Sequence, residues 1–302
     1  MNFDLSDDEL ALRDGIRRLC GGRFPPERIR RGFDRDVHAE LADAGVFSLR
    51  ADGFAWTDAA IAFQELGRGL VPGPLVWSLL AHGQVDGVVG GVEPPPAGPV
   101  LVEHPHTVDH LTVLARDAVT VVPADALRGA PLLDRPLDPL TPMARLDPLP
   151  AGPPLTGADP ASWRRAGALL TAAYQVGMAQ ACVEQATAYS IERQQFNRPV
   201  GTFQAVKHLL ADMAVRGEVA RAAVDAAACF LDDPATGDAD RAVSAAKLLA
   251  GEAALTNAKG SMQVHGGMGF TWDVDVHLYL KRAWVLNPAF GSPAEHADAV
   301  VG

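Results

Sequence analysis

Three long stretches in the second half of the chain carry alanine and glycine where most helices carry leucine. They are DPASWRRAGALLTAAYQVGMAQACVEQATAYSIERQ, TFQAVKHLLADMAVRGEVARAAVDAAACFLDD and DRAVSAAKLLAGEAALTNAKGSMQVHG. In the second, Val206, Leu210, Met213, Gly217, Ala220, Val224 and Ala227 alternate spacings of four and three, the seam of a helix packed along its length. Small side chains on such a seam let helix axes approach closely, which commits this half to helix-on-helix packing. Short polar connections such as FNRPVGT and DDPATGDAD make the neighbours antiparallel. With DVDVHLYLKRAWVL as the fourth member, residues 158–302 are predicted to form a four-helix bundle.

The first part of the chain is also helical. Ser6 and Glu9 have capping-box spacing, and Leu10, Leu12, Ile16 and Leu19 follow at helical intervals. DVHAELADAGVFSLR gives a short helix stopped by Gly45, and TDAAIAFQELGRGLVPGPLVWSLLAHGQV gives a helix ending near Gly69, a Pro-Gly-Pro turn and another helical segment. Residues 1–88 therefore read as a helical domain. Between 89 and 157 the texture turns Pro- and Gly-rich, with β-branched runs only near Val100, Leu111 and Val119. The predicted class is mainly α with a small central β unit.

Composition narrows the function. The chain has 302 residues, 48% of them hydrophobic, enough for a sizeable core, and its formal charge of −11 with no Lys/Arg stripe excludes a nucleic-acid surface. The N-terminal stretch lacks the basic and apolar regions of a signal peptide, and no run is long and apolar enough for a bilayer. Cys20, Cys182 and Cys229 are too few and too scattered for a disulfide framework or a metal knuckle. A cytoplasmic setting is expected.

Two stretches could carry chemistry. In ERQQFNRPVGTFQA a helix runs out at Arg193, beside a turn with Asn197, Pro199 and Gly201, so the guanidinium could be directed at a phosphate. The plain alternative is a surface arginine paired with a carboxylate. In QVHGGMGF, Gly266, Gly267 and Gly269 crowd one helix end, more glycine than a helix stop requires. A helix precedes this turn where a dinucleotide fingerprint needs a strand, so it is not that motif. His265 reads as a hydrogen-bonded structural residue, and Trp163, Arg164 and Arg165 as the exposed first turns of a helix. Phosphate-loop, zinc-protease and serine-elbow patterns are absent from the sequence.

Together, HAELADAGVFSL, FQELGRGLVPGPLV, YSIERQQFNRPVGTFQAVKHLLADM and QVHGGMGFTWDVDVHLYLKRA resemble the acyl-CoA dehydrogenase family along nearly the whole chain. These flavoproteins desaturate acyl-CoA thioesters between Cα and Cβ, with each FAD lying between two subunits. The resemblance implies a fold of N-terminal helical domain, middle β-domain and C-terminal bundle. It also implies that Arg193 meets the FAD pyrophosphate, that Phe196 and Gln204 lie on the adenosine side, and that Gln263, Gly266 and Gly267 contact adenosine and pyrophosphate. Asn197 stands where the family usually has Gly.

Two departures are larger. The family's Thr-Glu-Pro and Trp-Ile-Thr-Asn stretches, which hold the flavin ring, find no match between Gly90 and Leu155. Phe290 stands at the position of the catalytic Glu, and Gly167 at the alternative Glu position used by some members. A thioester α-proton is removed only by a positioned base, and a phenyl ring supplies none. The chain is thus expected to be the smaller subunit of an α2β2 dehydrogenase, resembling those of actinobacterial steroid-degrading enzymes with bulky acyl-CoA substrates. A full-length dehydrogenase partner would supply the flavin-ring pocket and the base, with an electron-transferring flavoprotein as the implied acceptor. Alternatives are an autonomous flavoenzyme using Glu295 or Asp298 as a displaced base, and a non-enzymatic helical scaffold.

Overall fold

The computed structural model describes residues 5–95 and 98–302; the first four residues of the N-terminal stretch, and Pro96 and Ala97 of the Pro-rich run, lie outside the described residues. Five helices open the chain: α1 (Asp7–Arg23), α2 (Pro26–Ile29), α3 (Arg35–Asp43), α4 (Trp56–Arg68) and α5 (Leu75–Ala81). The Ser6/Glu9 capping box is formed, with the Ser6 N–H donating to Glu9 Oε2 at 2.7 Å. Gly45 follows α3 with φ +76° and Gly69 caps α4. Every residue of α4 from Ala59 to Gly67 is buried, which marks it as an interior helix rather than an amphipathic surface one.

The central unit is built from β1 (Val89–Val92), β2 (Val100–Glu103), β3 (His110–Leu114), β4 (Val119–Pro123) and β5 (Met143–Leu146). β3 pairs parallel with β1 and antiparallel with β4, while β2 pairs antiparallel with β5. The sequence pointed to β2, β3 and β4 only. β1 was hidden by Gly90 and Gly91, which weaken a strand signal. Gly91 is there because the Trp77 ring occupies the space of a side chain.

The second half contains α6 (Pro160–Glu192), a hairpin of β6 (Gln194–Gln195) and β7 (Arg198–Pro199), then α7 (Gln204–Asp232), α8 (Ala239–His265), α9 (Val276–Leu286) and α10 (Pro293–Val301). α6 and α8 run parallel and in phase: Arg165 pairs with Asp240, Asn257 donates to the Ala179 carbonyl, and Tyr189 donates to the His265 carbonyl, at sequence offsets of 75, 78 and 76. α7 returns between them. Asn257 ties all three, its amide donating also to the Met213 carbonyl and its Oδ1 accepting from Arg216. Of the predicted α7 seam, Met213 to Ala227 is buried, whereas Val206 and Leu210 at the start of the helix are only half-buried.

Two glycines set the contact between the halves. A Cβ on Gly67 of α4 would collide with the Tyr174 carbonyl, and one on Gly177 of α6 with the Gln64 carbonyl, so the helices cross backbone against backbone. Trp163 is buried, contrary to its reading as part of an exposed turn; Arg164 and Arg165 beside it pair with Glu93 and Asp240. The helix start is covered because the small sheet and α8 pack over it. A buried pair, Arg282 Nε to Asp138 Oδ2 at 2.7 Å, links α9 to the irregular segment between β4 and β5. No described helix is long and apolar enough to cross a membrane.

Candidate functional site

Because α6 and α8 are parallel and in phase, their C-terminal ends coincide. Tyr189, one turn before the end of α6, stacks on His265 at the end of α8 with ring centroids 4.2 Å apart. His265 Nδ1 lies 2.8 Å from the Ser261 carbonyl, the structural role its sequence context indicated. Arg193, Phe196, Gln204, Gln263, Gly266 and Gly267 are thereby gathered at one end of the bundle, and all six are exposed.

Arg193 caps α6 through its N–H to the Tyr189 carbonyl, and its own carbonyl accepts from Val200. Arg193 is exposed, and among the described residues its guanidinium forms no ion pair with a carboxylate. The β6–β7 hairpin closes on Phe196 (φ +52°) and Asn197 (φ +62°), positive at both central positions as in a type I′ turn. Asn tolerates that conformation, so its replacement of the family's Gly is absorbed. Phe196 does not: it is strained, and at 86% exposed it gains no burial in return. Gln204 is the first residue of α7.

After α8 the chain makes a 3-10 turn over Gly266–Phe270. Gly266 has φ +61° and ψ −138°, a conformation that needs glycine, and Gly269 sits against the Met262 backbone. Gly267 has neither reason: a Cβ there would meet nothing within 4 Å. The fold leaves Gly267 unexplained.

The second region lies between the small sheet and the bundle. Phe290, with φ +55°, is 2% exposed; its ring stands against Trp77 at 4.5 Å and fills the space a Cβ on Gly167 would need. The loop carrying it is pinned by buried groups. Lys247 Nζ donates to the carbonyls of Leu286 and Asn287 at 3.1 and 2.9 Å, and burial pulls its pKa down to about 8. His296 Nε2 lies 3.0 Å from the Phe290 carbonyl and Nδ1 3.3 Å from Ser244 Oγ. Glu295 is committed to the cap of α10: Oε2 accepts from the Ser292 N–H at 2.7 Å and hydroxyl at 2.8 Å, and these bonds hold its carboxyl below the usual range. A carboxylate so engaged is a poor base, and Asp298 lies exposed on the same helix.

One feature was overlooked in the sequence. β1 runs into Val92-Glu93-Pro94, which keeps the Glu-Pro of the family's Thr-Glu-Pro stretch with Val in place of Thr. Glu93 accepts from Arg164 Nε at 2.9 Å. The strand's two glycines masked the match, and Val92 brings no hydroxyl to that position. Trp77, Lys247 and His296 carry no local motif and were also missed.

The acyl-CoA dehydrogenase C-terminal domain family matches residues 165–300. Acyl-CoA dehydrogenase IpdE2 of Mycolicibacterium smegmatis is 31% identical over 314 residues, covering 96% of this chain and 97% of that protein. Among solved structures, the ChsE4-ChsE5 complex from Mycobacterium tuberculosis superposes with a TM-score of 0.81 at 23% identity, covering 100% of this chain and 98% of that one. The Tcur3481-Tcur3483 steroid acyl-CoA dehydrogenase, as its G363A variant, superposes with 0.80 at 23%, covering 98% and 97%. At that identity the structures establish the fold. The full-length sequence match establishes more: the chain belongs to the acyl-CoA dehydrogenase family.

Proposed function

We propose that the protein is the smaller, base-less subunit of an α2β2 FAD-dependent acyl-CoA dehydrogenase, and that it completes the adenosine and pyrophosphate part of a cofactor site whose flavin-ring pocket belongs to a full-length partner. The observation that carries this reading is an imbalance between two sites. At the bundle end, the chain retains an unpaired Arg193, a strained and exposed Phe196, and Gly267 with open space around it. At the position of the proton-abstracting Glu it holds a buried phenyl ring, and at the alternative position a glycine.

The residues at the bundle end fit the cofactor. A guanidinium suits a pyrophosphate through paired charge-assisted hydrogen bonds, and a glycine without a side chain lets backbone N–H groups approach phosphate oxygens. Gln263 and Gln204 offer amide donors and acceptors on the same face, and Phe196 offers an apolar surface. FAD, when bound, supplies the hydride acceptor for Cα–Cβ desaturation. This chain's part is to bind and orient its nucleotide end. The two-component names of the ChsE4-ChsE5 and Tcur3481-Tcur3483 structures support a heteromeric assembly, and the description of the latter as a steroid enzyme supports a bulky acyl-CoA substrate. An electron-transferring flavoprotein is the acceptor class that family membership implies.

The test is co-expression with a full-length dehydrogenase partner, followed by native mass measurement and flavin quantification. Half as many FADs as subunits is expected, together with reduced occupancy when Arg193→Ala enters the complex. A singly expressed chain that is yellow, carries one FAD and oxidises an acyl-CoA would overturn the reading.

A further inference from the structure

Phe290 and Gly167 stand, by resemblance, at alternative homes of the family's base. A base at either must reach the same acyl Cα, so side chains at the two positions converge on one region. Here that region is full. The Phe290 ring lies where a Gly167 side chain would project, and it is backed by Trp77, whose own ring is seated on Gly91.

The ring also stands between two spaces. On one side is a cleft of about 880 Å³ between the small sheet and the bundle, walled by Glu93, Leu114, Arg164 and Ser292. On the other is a pocket of about 60 Å³ walled by Trp77, Glu103, Thr171, Tyr174 and Arg282. Phe290 lines both. Thr171 Oγ1 and Arg282 Nη2 have no hydrogen-bond partner among the described residues, although their residues are 1% and 2% exposed. Unpartnered polar groups at that depth are costly, and a pocket of this size admits a few water molecules to meet them. The backbone holds the ring in place: residue 290 is kept at φ +55°, His296 and Lys247 grip the loop carbonyls, and Gly291 has φ +111° with His296 lying where its side chain would go.

We propose that Phe290 is a plug. It occupies the volume in which an acyl thioester would otherwise lie, separates the cleft from the small, mostly apolar pocket behind it, and confines acyl-CoA binding to the partner's cleft. The plug thus sets which half of the assembly takes substrate. This rests on reading the chain as the base-less subunit, but its test does not depend on flavin.

In the full chain, Phe290→Ala should join cleft and pocket. Isothermal titration with octanoyl-CoA is expected to show at least tenfold tighter binding to the variant than to the wild type. Toluene should raise the melting temperature of the variant and leave the wild type unmoved. Wild type binding octanoyl-CoA as tightly as the variant, or a variant that gains neither probe, would overturn the plug. If Phe290→Ala does not fold, Phe290→Leu and a double-mutant cycle with Gly167→Ala replace it. Gly167→Ala should lower the melting temperature more in the wild-type background than in the Phe290→Leu background, and equal losses in both would refute the contact. An Arg193→Ala complex with full flavin would count against the cofactor assignment while leaving the plug result standing.

Discussion

Phe196 carries a backbone strain that folding does not require. A bulky side chain at positive φ costs roughly 1–3 kcal/mol, and an exposed ring recovers little of it. Phe196→Asn, which suits the turn, is therefore expected to raise the free chain's unfolding free energy by about 0.5–1 kcal/mol while lowering flavin occupancy of the complex. Chemical denaturation and flavin absorbance would read the two effects separately. Lys247 shows the reverse case, a residue the fold needs. Its pKa falls to about 8 in the folded chain from 10.5, so the unfolded state binds more protons between those values and stability should rise with pH across that window. Cys20 and Cys182 oppose this from about pH 8 upward and Tyr174 and Tyr279 at more alkaline pH, because burial raises their pKa values and the unfolded state loses their protons first. A wild-type minus Lys247→Met stability difference that rises between about pH 8 and 9, the thiols being common to both proteins, is the expected signature in denaturation curves. Neither residue's role was legible in sequence: the strain of Phe196 depends on a turn type, and the burial of Lys247 on a helix end 39 residues away.

At the scale of elements, much was readable. The Ser6/Glu9 cap, the glycine stops after α3 and α4, and the small-residue seam of α7 each follow local rules, and each element formed where its rule put it. β1 failed because its glycines serve Trp77 and neighbouring packing rather than strand propensity. Val206 and Leu210 of the same seam are only half-buried, a degree of cover that the helical spacing does not encode. The same distinction predicts opposite outcomes for two glycines. Gly177→Ala drives a Cβ into the Gln64 carbonyl and should destabilise by about 3 kcal/mol or more, the upper range of overpacking. Gly15→Ala, inside α1 with nothing within 4 Å of the added atom, should stabilise by about 0.5–1 kcal/mol. Thermal melts of the two variants check the pair.

For the whole molecule, the Asp138–Arg282 pair fastens the irregular central segment to the bundle. Asp138 also accepts from the Leu140 N–H and the Thr141 hydroxyl, so its carboxylate is well bonded, while Arg282 depends on it for charge. Asp138→Ala leaves a buried guanidinium unpaired and should cost about 3–5 kcal/mol, measurable by denaturant midpoint. Replacing both residues by apolar ones should recover much of the loss. None of this was visible in the Pro-rich run, where pairing partners lie far apart in the chain. The candidate cofactor face was legible only through family resemblance, because its residues meet solely by the phasing of α6 against α8.

That phasing has an electrical side. Two parallel helices end together there, each with roughly half a negative charge on its carbonyl end, and the N-terminus of α7 at Gln204 offsets only one of them. In a chain of net charge −11, this face begins as a poor host for an anion. Arg193 sits at the end of α6, where its cation offsets the remaining negative helix end. Deleting it would therefore do more than remove one contact: it would turn the face from receptive to repelling, with the deficit growing as ionic strength falls.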